Sequence, residues 1–380
     1  MSVARVVHDV RLVDAGRIED AAWVAFDAGR VVATGHGDSW RELAPREAHD
    51  GGGAWLTPGF VDIHGHGGAG CAFDDGDDAI ATARAMHRAH GTTRAVLSLV
   101  TASVDDLVAR VATVARLAHA DATVLGSHLE GPFLDVGHKG AHTASLLRAP
   151  DAASVDRLLQ AADGTLRQVT LAPELPGATD AIARFVAAGV AVAVGHTDAD
   201  ADAARRAFDA GATILTHAFN GMRGIHHRAP GPVVAAMGDD RVTLELIADG
   251  AHVHPDVMRL AFAGAPGRIA LITDAMAAAG SADGAYTLGG LAVTVTDGVA
   301  RLDDGGSIAG STLTQDAALR LVTAECGVPV ADAVAALTTV PAHAIGAAAG
   351  SLAVGATADA VLLDAGLNVR EVWVDGEPPA

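Results

Sequence analysis

The stretch PGFVDIHGHGG, residues 58–68, joins a short apolar run to two closely spaced histidines. The aromatic and β-branched residues of this run favour a β-strand, and the glycines that follow end it and leave room for a ligand near the backbone. His64 and His66 are two positions apart, so on an extended chain both imidazoles point the same way and can reach one metal ion. The stretch therefore predicts a strand that ends at the floor of a metal site.

Four further apolar runs also end in side chains that can bind a metal. Each is a short β-branched run followed by a polar ligand type and then by small or turn-forming residues: SHLEGPF at 127–133, VGHTDAD at 194–200, THAFNGM at 216–222 and LITDAM at 271–276. A buried histidine or carboxylate needs a partner, and a shared ion would supply one for all of them. The candidate ligands to one or two divalent ions are His64, His66, Glu130, His196, His217 and Asp274.

The composition indicates a large acidic protein of a reducing compartment. At 380 residues with 50% hydrophobic content, the chain can bury a large core, which favours one big domain with a smaller appendage. A formal net charge of −20 argues against nucleic acid and anionic membranes as partners, so an anionic substrate needs a local basic pocket. The two cysteines, Cys71 and Cys326, are too few for a disulfide framework, and neither a signal peptide nor a membrane span is recognisable. We therefore expect a cytoplasmic protein.

Strand and helix signals alternate through the middle of the chain. Amphipathic alanine-rich segments such as 77–90 and 198–210 separate several of the strand candidates. Eight strand candidates begin near Phe60, Thr93, Thr123, Val169, Val190, Thr213, Val242 and Ile269. This count predicts an α/β fold, a (β/α)8 TIM barrel, whose functional site lies at the C-terminal ends of its strands. The six candidate ligands fall at those ends.

Both ends of the chain consist of short strand candidates separated by turns. The first lie before residue 35, punctuated by Asp-Ala-Gly at 14–16 and 27–29, and similar pieces return at 360–363 and 371–374. Two β segments that flank one long middle section predict a small β-sandwich domain made from residues 1–56 and 345–380. The barrel then spans residues 57–344.

With these residues in place, the chain resembles the amidohydrolase superfamily and, within it, the N-acetylglucosamine-6-phosphate deacetylase family. The ordered motifs that carry the resemblance are PGFVDIHGHGG, HLEGPF, KGAH at 139–142, TLAPE at 170–174, VGHT, THAFNGM, ADGAHV at 248–253, LITDAM, AGSTLT at 309–314 and GSLAVGATADAVLLD at 350–364. The resemblance implies metal-dependent hydrolysis of the acetamide of N-acetyl-D-glucosamine 6-phosphate to D-glucosamine 6-phosphate and acetate, in amino-sugar catabolism. It also implies a homodimer.

The resemblance further implies how the ligands divide between two ions. Many amidohydrolases bridge two ions with a carbamylated lysine on the fourth strand, whereas the sole lysine here, Lys139, lies in a loop. In the deacetylase family a glutamate bridges instead, and some members lack the first histidine pair, which this chain keeps. Zinc is favoured, with iron, manganese and cobalt as alternatives. The implied groups are His64, His66, Glu130 and Asp274 around one ion, and Glu130, His196 and His217 around the other.

The catalytic and substrate-binding roles also come from the resemblance. Asp274 would take a proton from the activated water and pass it to the departing amine, and His142 would contact the acetyl carbonyl and help hold the oxyanion. Arg228, which reaches across a dimer interface in several members, and His252 would bind the phosphate. Further basic residues in MRGIHHR make Arg223 a competing anchor. The implied substrate-binding residues are Ala141, His142, Asn220, Gly221, Arg228 and His252.

Two other functions stay open on the sequence alone. The first is another amidohydrolase, such as an N-acetylgalactosamine-6-phosphate deacetylase or a deaminase, because the two sugar epimers differ at one hydroxyl and no residue fixes its contact. The second is a non-catalytic relative that keeps only the barrel. Retention of all six candidate ligands argues against the second, since ligands without an ion are costly to bury unpaired.

Overall fold

The computed structural model describes residues 3–378, in which strands and helices alternate through the middle of the chain. The strands are β1 Arg5–Asp14, β2 Arg17–Asp27, β3 Arg30–His36, β4 Glu47–Pro58, β5 Phe60–Asp62, β6 Gly67–Gly68, β7 Cys71–Ala72, β8 Thr92–Val100, β9 Val124–Glu130, β10 Leu166–Leu171, β11 Ala191–Val194, β12 Ile214–Leu215, β13 Thr243–Ile247, β14 Ile269–Ile272, β15 Gly284–Leu288, β16 Leu291–Thr296, β17 Val299–Leu302, β18 Ala360–Leu363 and β19 Val369–Trp373. The α-helices are α1 Asp77–Ala89, α2 Val104–Ala120, α3 Ala152–Ala162, α4 Ala178–Ala187, α5 Ala201–Asp209, α6 Gly231–Met237, α7 Pro255–Gly264, α8 Gln315–Ala324, α9 Val330–Ala335 and α10 Thr339–Ala344. Within this described part, no helix combines the length and the apolar character that crossing a membrane requires.

Eight strands form one parallel sheet in the order β5-β8-β9-β10-β11-β12-β13-β14, which is also their order along the chain. Helices α1 to α7 lie one at a time between successive strands of this sheet. These are the eight strands predicted from the sequence, so the (β/α)8 barrel is confirmed. In such a barrel the C-terminal ends of all strands meet at one face, and that face carries the functional site.

The barrel closes between its first and last strands through individual hydrogen bonds instead of a regular strand pair. The Asp274 N–H donates to the His64 carbonyl at 2.8 Å, at the C-terminal face. Deeper in the seam, the chain at 336–337 lies between the two strands, and its carbonyls accept the N–H groups of Leu271 and Val61, each at 2.8 Å. The seam therefore fixes the position of two candidate metal ligands relative to each other.

Gln315 fills the same seam and is fully buried. Its Nε2 donates to the carbonyls of Val61 at 3.1 Å and Leu271 at 3.4 Å, and its Oε1 accepts from Thr92 Oγ1 at 2.8 Å.

We expect Gln315→Met to lower the free energy of unfolding by about 1–3 kcal/mol, because buried polar groups lose their partner. Urea unfolding measures this change. Gln160→Met, on the exposed side of α3, is the control and should shift it by less than about 0.5 kcal/mol. Equal stability of Gln315→Met and wild type would contradict this account.

The small β domain joins both ends of the chain, as predicted. Its strand order is β19-β18-β4-β1-β2-β3, so the C-terminal pair extends the N-terminal strands. The sheet curls, because Val31 N–H donates to Ala356 O and Ala358 N–H to Gly29 O, both at 3.0 Å, which brings β3 to the chain just before β18. Side chains from all six strands share one buried core. The sandwich-like packing is thus made by one continuous sheet, while the limits 1–56 with 345–380 and 57–344 stay a prediction.

A three-stranded antiparallel sheet of β15, β16 and β17 follows the last barrel strand. It is not among the elements predicted from the sequence. Its apolar face packs on the top of the barrel, where Leu288 and Val293 share a buried cluster with Val100 and Met276. This sheet therefore forms one wall above the C-terminal face of the barrel.

Candidate metal centre and substrate cavity

All six predicted metal ligands lie at the C-terminal face of the barrel. Glu130 is the last residue of β9, and the other five follow barrel strands by two to four residues. His196, His217 and Asp274 have backbone φ angles of 46°, 26° and 48°, in the left-handed region that residues other than glycine rarely adopt. Such conformations persist where the surrounding structure fixes them, and they concentrate at functional sites. These sharp turns bring side chains from β11, β12 and β14 together over the barrel.

Glu130 is the centre of the cluster. Its Oε1 lies 3.1 Å from Nε2 of His196 and 3.1 Å from Nε2 of His217. The same oxygen lies 3.3 Å from His64 Nε2, and Oε2 lies 3.2 Å from His66 Nε2. All five side chains are buried. One carboxylate thus touches all four predicted histidine ligands, as a bridging ligand must.

Asp274 adds a second carboxylate on the side of the first histidine pair. Its Oδ1 is 3.2 Å from Nε2 of His66 and 3.6 Å from Nε2 of His64. Together with Glu130, these residues form a buried group whose ligand atoms all lie within 4.8 Å of one another. A second such group contains Glu130, His142 and His196. The first group matches the set predicted for one ion, and the second places His142 beside the other.

The spacing of these atoms suits a divalent cation. Nε2 of His64 is buried and makes no hydrogen bond, although it faces two carboxylates. Nε2 of His196 and Nε2 of His217 lie only 3.0 Å apart. Ligands about 2.0–2.1 Å from one tetrahedral ion are separated by about 3.3 Å, close to the distances found here. The donor set of imidazoles and carboxylates therefore fits zinc or a related ion.

The charges of the cluster also favour a bound cation. Burial lowers the pKa of His64 and of His66, but the surrounding carboxylates outweigh this effect. They raise the pKa of His64 well above its usual range and the pKa of His66 to about 9. Burial raises the pKa of Glu130, yet the charge of His64 and the bonds from the other histidines hold it well below its usual range. The site thus stabilises added positive charge, which a divalent ion supplies in place of protons.

His142 borders the cluster, as predicted for a residue that contacts the acetyl carbonyl. Its Nε2 is 3.4 Å from Glu130 Oε2, and its Nδ1 is 2.8 Å from Thr101 Oγ1. Burial lowers the pKa of His142 to about 4, so the imidazole is neutral near pH 7. The Thr101 hydroxyl has one hydrogen and donates it to the Glu130 carbonyl at 3.1 Å, so it does not decide the tautomer of His142. Nε2 faces Glu130 Oε2, which only accepts, and that contact favours the hydrogen on Nε2.

A cavity of about 350 Å³ opens above the cluster. This volume is within the range of small-molecule sites. Five of the predicted metal ligands line it, together with the predicted substrate residues Ala141, His142, Asn220, Gly221 and His252.

His252 lies in this cavity beside a carboxylate. Its Nδ1 is 2.7 Å from Asp249 Oδ2. Burial lowers the pKa of His252, but the bond to Asp249 outweighs it and raises the pKa above its usual value. The cavity therefore combines a cluster that could hold a metal with an imidazole whose protonated form is favoured, which suits an anionic group.

Neither of the two arginines proposed for the phosphate lines the cavity of this chain. Arg228 lies on an exposed loop, and Arg223 is held by Asp198 through an Nε–Oδ1 contact of 2.8 Å and an Nη2–Oδ2 contact of 2.7 Å. Arg301, which the sequence analysis did not single out, is close enough for its charge to lower the pKa of His252. Its pairing partner across the sheet, Ile308, lines the cavity.

Comparison with known proteins assigns this arrangement to one family. The model of the Amidohydrolase family matches residues 55–378. The chain is a member of the amidohydrolase family. It is therefore a hydrolase, and its buried cluster of His64, His66, Glu130 and Asp274 suits the divalent metal on which such hydrolysis depends.

The relatives of this amidohydrolase are amino-sugar phosphate deacetylases. An N-acetylgalactosamine-6-phosphate deacetylase of Escherichia coli O157:H7 is 44% identical over 329 residues, which cover 85% of this chain and 87% of that protein. An N-acetylglucosamine-6-phosphate deacetylase of Vibrio furnissii is 36% identical over 377 residues, covering 92% and 94%. The structure of an aspartate-to-alanine mutant of the Mycobacterium smegmatis N-acetyl-D-glucosamine-6-phosphate deacetylase, in complex with N-acetyl-D-glucosamine-6-phosphate, matches with a TM-score of 0.95 at 44% identity, covering 100% of this chain and 99% of that one. The resemblance read from the motifs is confirmed.

The residues that hold the candidate ligands of this amidohydrolase in place are not among those predicted from the sequence. Glu245 in β13 lies 2.9 Å from His64 Nδ1, and Thr101 holds His142. A signal for Glu245 was present, because a carboxylate inside the apolar strand β13 must have a buried partner. Thr101 carried no such signal, since a threonine after a strand is common in any loop.

Proposed function

We propose that this chain hydrolyses the acetamide of N-acetyl-D-glucosamine 6-phosphate to D-glucosamine 6-phosphate and acetate. The reaction would use one or two divalent ions, with zinc favoured over iron, manganese or cobalt. The observation that carries the proposal is that one cavity is lined by the Glu130-centred cluster, by neutral His142 and by His252. Relatives named for this reaction support it across nearly the whole chain.

The chain's own residues supply proton transfer and positioning. A divalent ion held by the cluster would lower the pKa of a bound water from 15.7 to about 7 and polarise the acetyl carbonyl. Asp274, a carboxylate in the cavity wall, takes the proton of the attacking water and delivers it to the departing nitrogen. His142 donates its Nε2 hydrogen to the carbonyl oxygen as negative charge develops there.

The phosphate needs local donors, because the chain carries a net charge of −20. His252 provides one, and Asn220 with the backbone of Gly221 provides others on the cavity wall. We place Arg228 against the phosphate of a partner copy in a homodimer, which accounts for its exposure here. Arg301 is the alternative within the same chain.

The proposal is tested by acetate release from phosphorylated and plain N-acetylglucosamine. We expect kcat/KM for the plain sugar to be lower by at least about 10–100-fold, since each charge-assisted hydrogen bond is worth about 1.5–3 kcal/mol. His252→Asn should reduce the ratio of kcat/KM between the phosphorylated and the plain sugar, because it raises KM for the phosphorylated one. His254→Asn, an exposed neighbour, is the matched control. No acetate from either sugar would contradict the function, and an equal loss on both sugars would remove His252 from phosphate binding.

The same assay separates the two arginines. If Arg228 reaches a partner's phosphate, Arg228→Ala raises KM for the phosphorylated sugar. A mixture with an Asp274→Asn variant then recovers activity, because in a mixed dimer the Asp274→Asn copy supplies its arginine to the other copy's site, where Asp274 is intact. If Arg301→Ala raises KM and Arg228→Ala does not, the arginine that binds the phosphate belongs to the same chain as the cavity. If neither substitution changes KM for the phosphorylated sugar, His252 and the amide donors form the phosphate site.

The second candidate substrate is N-acetylgalactosamine 6-phosphate. Its support is the 44% identity to the deacetylase of Escherichia coli O157:H7 named for that sugar. Comparing kcat/KM for the two epimers decides between them, and the larger value identifies the preferred sugar.

We also propose that the protein acts in the cytoplasm, where free thiols such as those of Cys71 and Cys326 persist.

A further inference from the structure

Glu245 is a buried carboxylate that the mechanism above does not use. It lies on β13 between Leu244 and Leu246, and none of its surface is exposed. A carboxylate at this depth is costly unless its oxygens accept hydrogen bonds. Its contacts therefore indicate what it does.

Three groups surround the two oxygens of Glu245. Oε2 lies 2.9 Å from Nδ1 of His64 and accepts the backbone N–H of His217 at 3.3 Å. Oε1 accepts from Nε2 of Gln168, which lies on β10 and is also fully buried, at 2.7 Å. A carboxylate only accepts, so the nitrogen of His64 that faces it must carry a hydrogen.

A hydrogen on Nδ1 leaves the lone pair of a neutral His64 on Nε2. That is the atom that lies 3.3 Å from Glu130 Oε1 and 3.6 Å from Asp274 Oδ1, and it makes no hydrogen bond. The ring is also packed edge-on against His128, with the two centroids 4.6 Å apart. The orientation of His64 is thus fixed from the side opposite the cavity.

We propose that Glu245 is a positioning residue for the metal centre: it holds His64 in the tautomer and ring orientation that offers Nε2 to the ion. The inference rests on the proposed function for the presence of that ion. Carboxylates behind metal-binding histidines tune affinity, and their loss typically costs about 10–100-fold. Gln168 completes the arrangement, because its bond to Oε1 prevents the carboxylate from turning away from His64.

Glu245→Gln tests the proposal without a change in size. The substitution removes the negative charge behind His64, while the amide oxygen can still accept from His64 and His217. The Gln168 amide can turn over to accept from the new NH2, because its Oε1 makes no hydrogen bond. We expect the affinity for Zn²⁺ at the site that His64→Ala removes to fall by about 10–100-fold. Competition with a chromogenic chelator on metal-stripped protein measures it. Glu371→Gln is the control, because Glu371 faces His49 at 3.2 Å in the small sheet, and it should leave the affinity unchanged.

The chain also offers a rescue that a purely structural role would not predict. In the double variant Glu245→Gln with Gln168→Glu, the amide can donate to the new carboxylate and still present its oxygen to His64. All three hydrogen bonds are made, and the negative charge that Glu245→Gln removed is restored to the group. We expect the Zn²⁺ affinity to recover to within about threefold of wild type. If the single variant fails to fold, as its thermal unfolding would show, the double variant carries the test.

Three outcomes would overturn the role of Glu245. The first is a folded Glu245→Gln variant with wild-type Zn²⁺ affinity. The second is a double variant that folds yet binds Zn²⁺ no better than Glu245→Gln does. The third is a His64→Ala variant that loses no ion. A wild-type protein that binds no Zn²⁺ and releases no acetate would contradict the proposed function itself. The two failures are therefore distinguishable.

Discussion

Replacing Asp274 by asparagine is expected to lower the turnover number for acetate release by about 10²–10⁴-fold, the usual contribution of general acid–base catalysis. Burial raises the pKa of Asp274, but the charge of His64 and the bond from His66 outweigh it and hold the pKa below its usual value. The carboxylate is therefore ionised near pH 7 and can accept a proton. Asparagine keeps the shape of the side chain and cannot take up that proton.

The measurement is steady-state acetate release, with the metal content of each protein determined on the same sample. Metal content matters because Asp274 also belongs to the four-residue ligand group. Asp297→Asn is a matched control, since Asp297 is exposed and has a similar backbone φ of 51°. Near wild-type turnover of metal-loaded Asp274→Asn would remove Asp274 from the proton transfer.

The candidate ligands that the sequence indicates share a local signature. His196, His217 and Asp274 each follow a barrel strand by two residues, so an apolar run and a turn identify them without knowledge of any distant contact. Parallel strands whose carboxyl ends meet at one face then bring such residues together. This is why the barrel and the metal cluster could both be predicted from short patterns.

The residues that the sequence did not reveal depend on contacts between distant parts of the chain. Glu245 sits inside a strand, and its partner His64 is 181 positions away. Gln315, which binds both edge strands at the barrel seam, lies 254 positions from Val61. Neither pairing leaves a periodic pattern, and polar residues inside apolar segments indicate only that some partner exists.

The part of the cavity proposed to hold the phosphate is the least predictable from the sequence. The β15–β17 sheet was not recognised, although Leu288 at its edge and Ile308 just after it line the cavity. Its alternating exposed and buried positions form a short local hairpin pattern, distinct from the barrel repeat. Arg228 is predicted from resemblance alone, and within one chain it lies outside the cavity, so the proposed phosphate contact requires a partner copy.

Removing the carboxylate of Glu130 should have a larger effect than removing any single histidine. Its oxygens lie within 3.1–3.4 Å of Nε2 in five histidines, and it belongs to both groups that could hold an ion. We expect Glu130→Ala to lose both ions and to lower kcat/KM by at least about 10³-fold, because metal Lewis-acid catalysis is worth several kcal/mol. His64→Ala should lose only one of two ions.

The test is metal content per chain after reconstitution with Zn²⁺ and removal of the excess. We expect two ions in the wild type, one in His64→Ala and none in Glu130→Ala. His119→Ala, which changes an exposed histidine, is the control and should keep both ions. His217→Ala should lose the ion that His64→Ala keeps, since its Nε2 lies 3.0 Å from Nε2 of His196, the other histidine assigned to that ion. One ion in wild type, unchanged by His64→Ala, would contradict the two-ion centre and leave the first histidine pair without a ligand role.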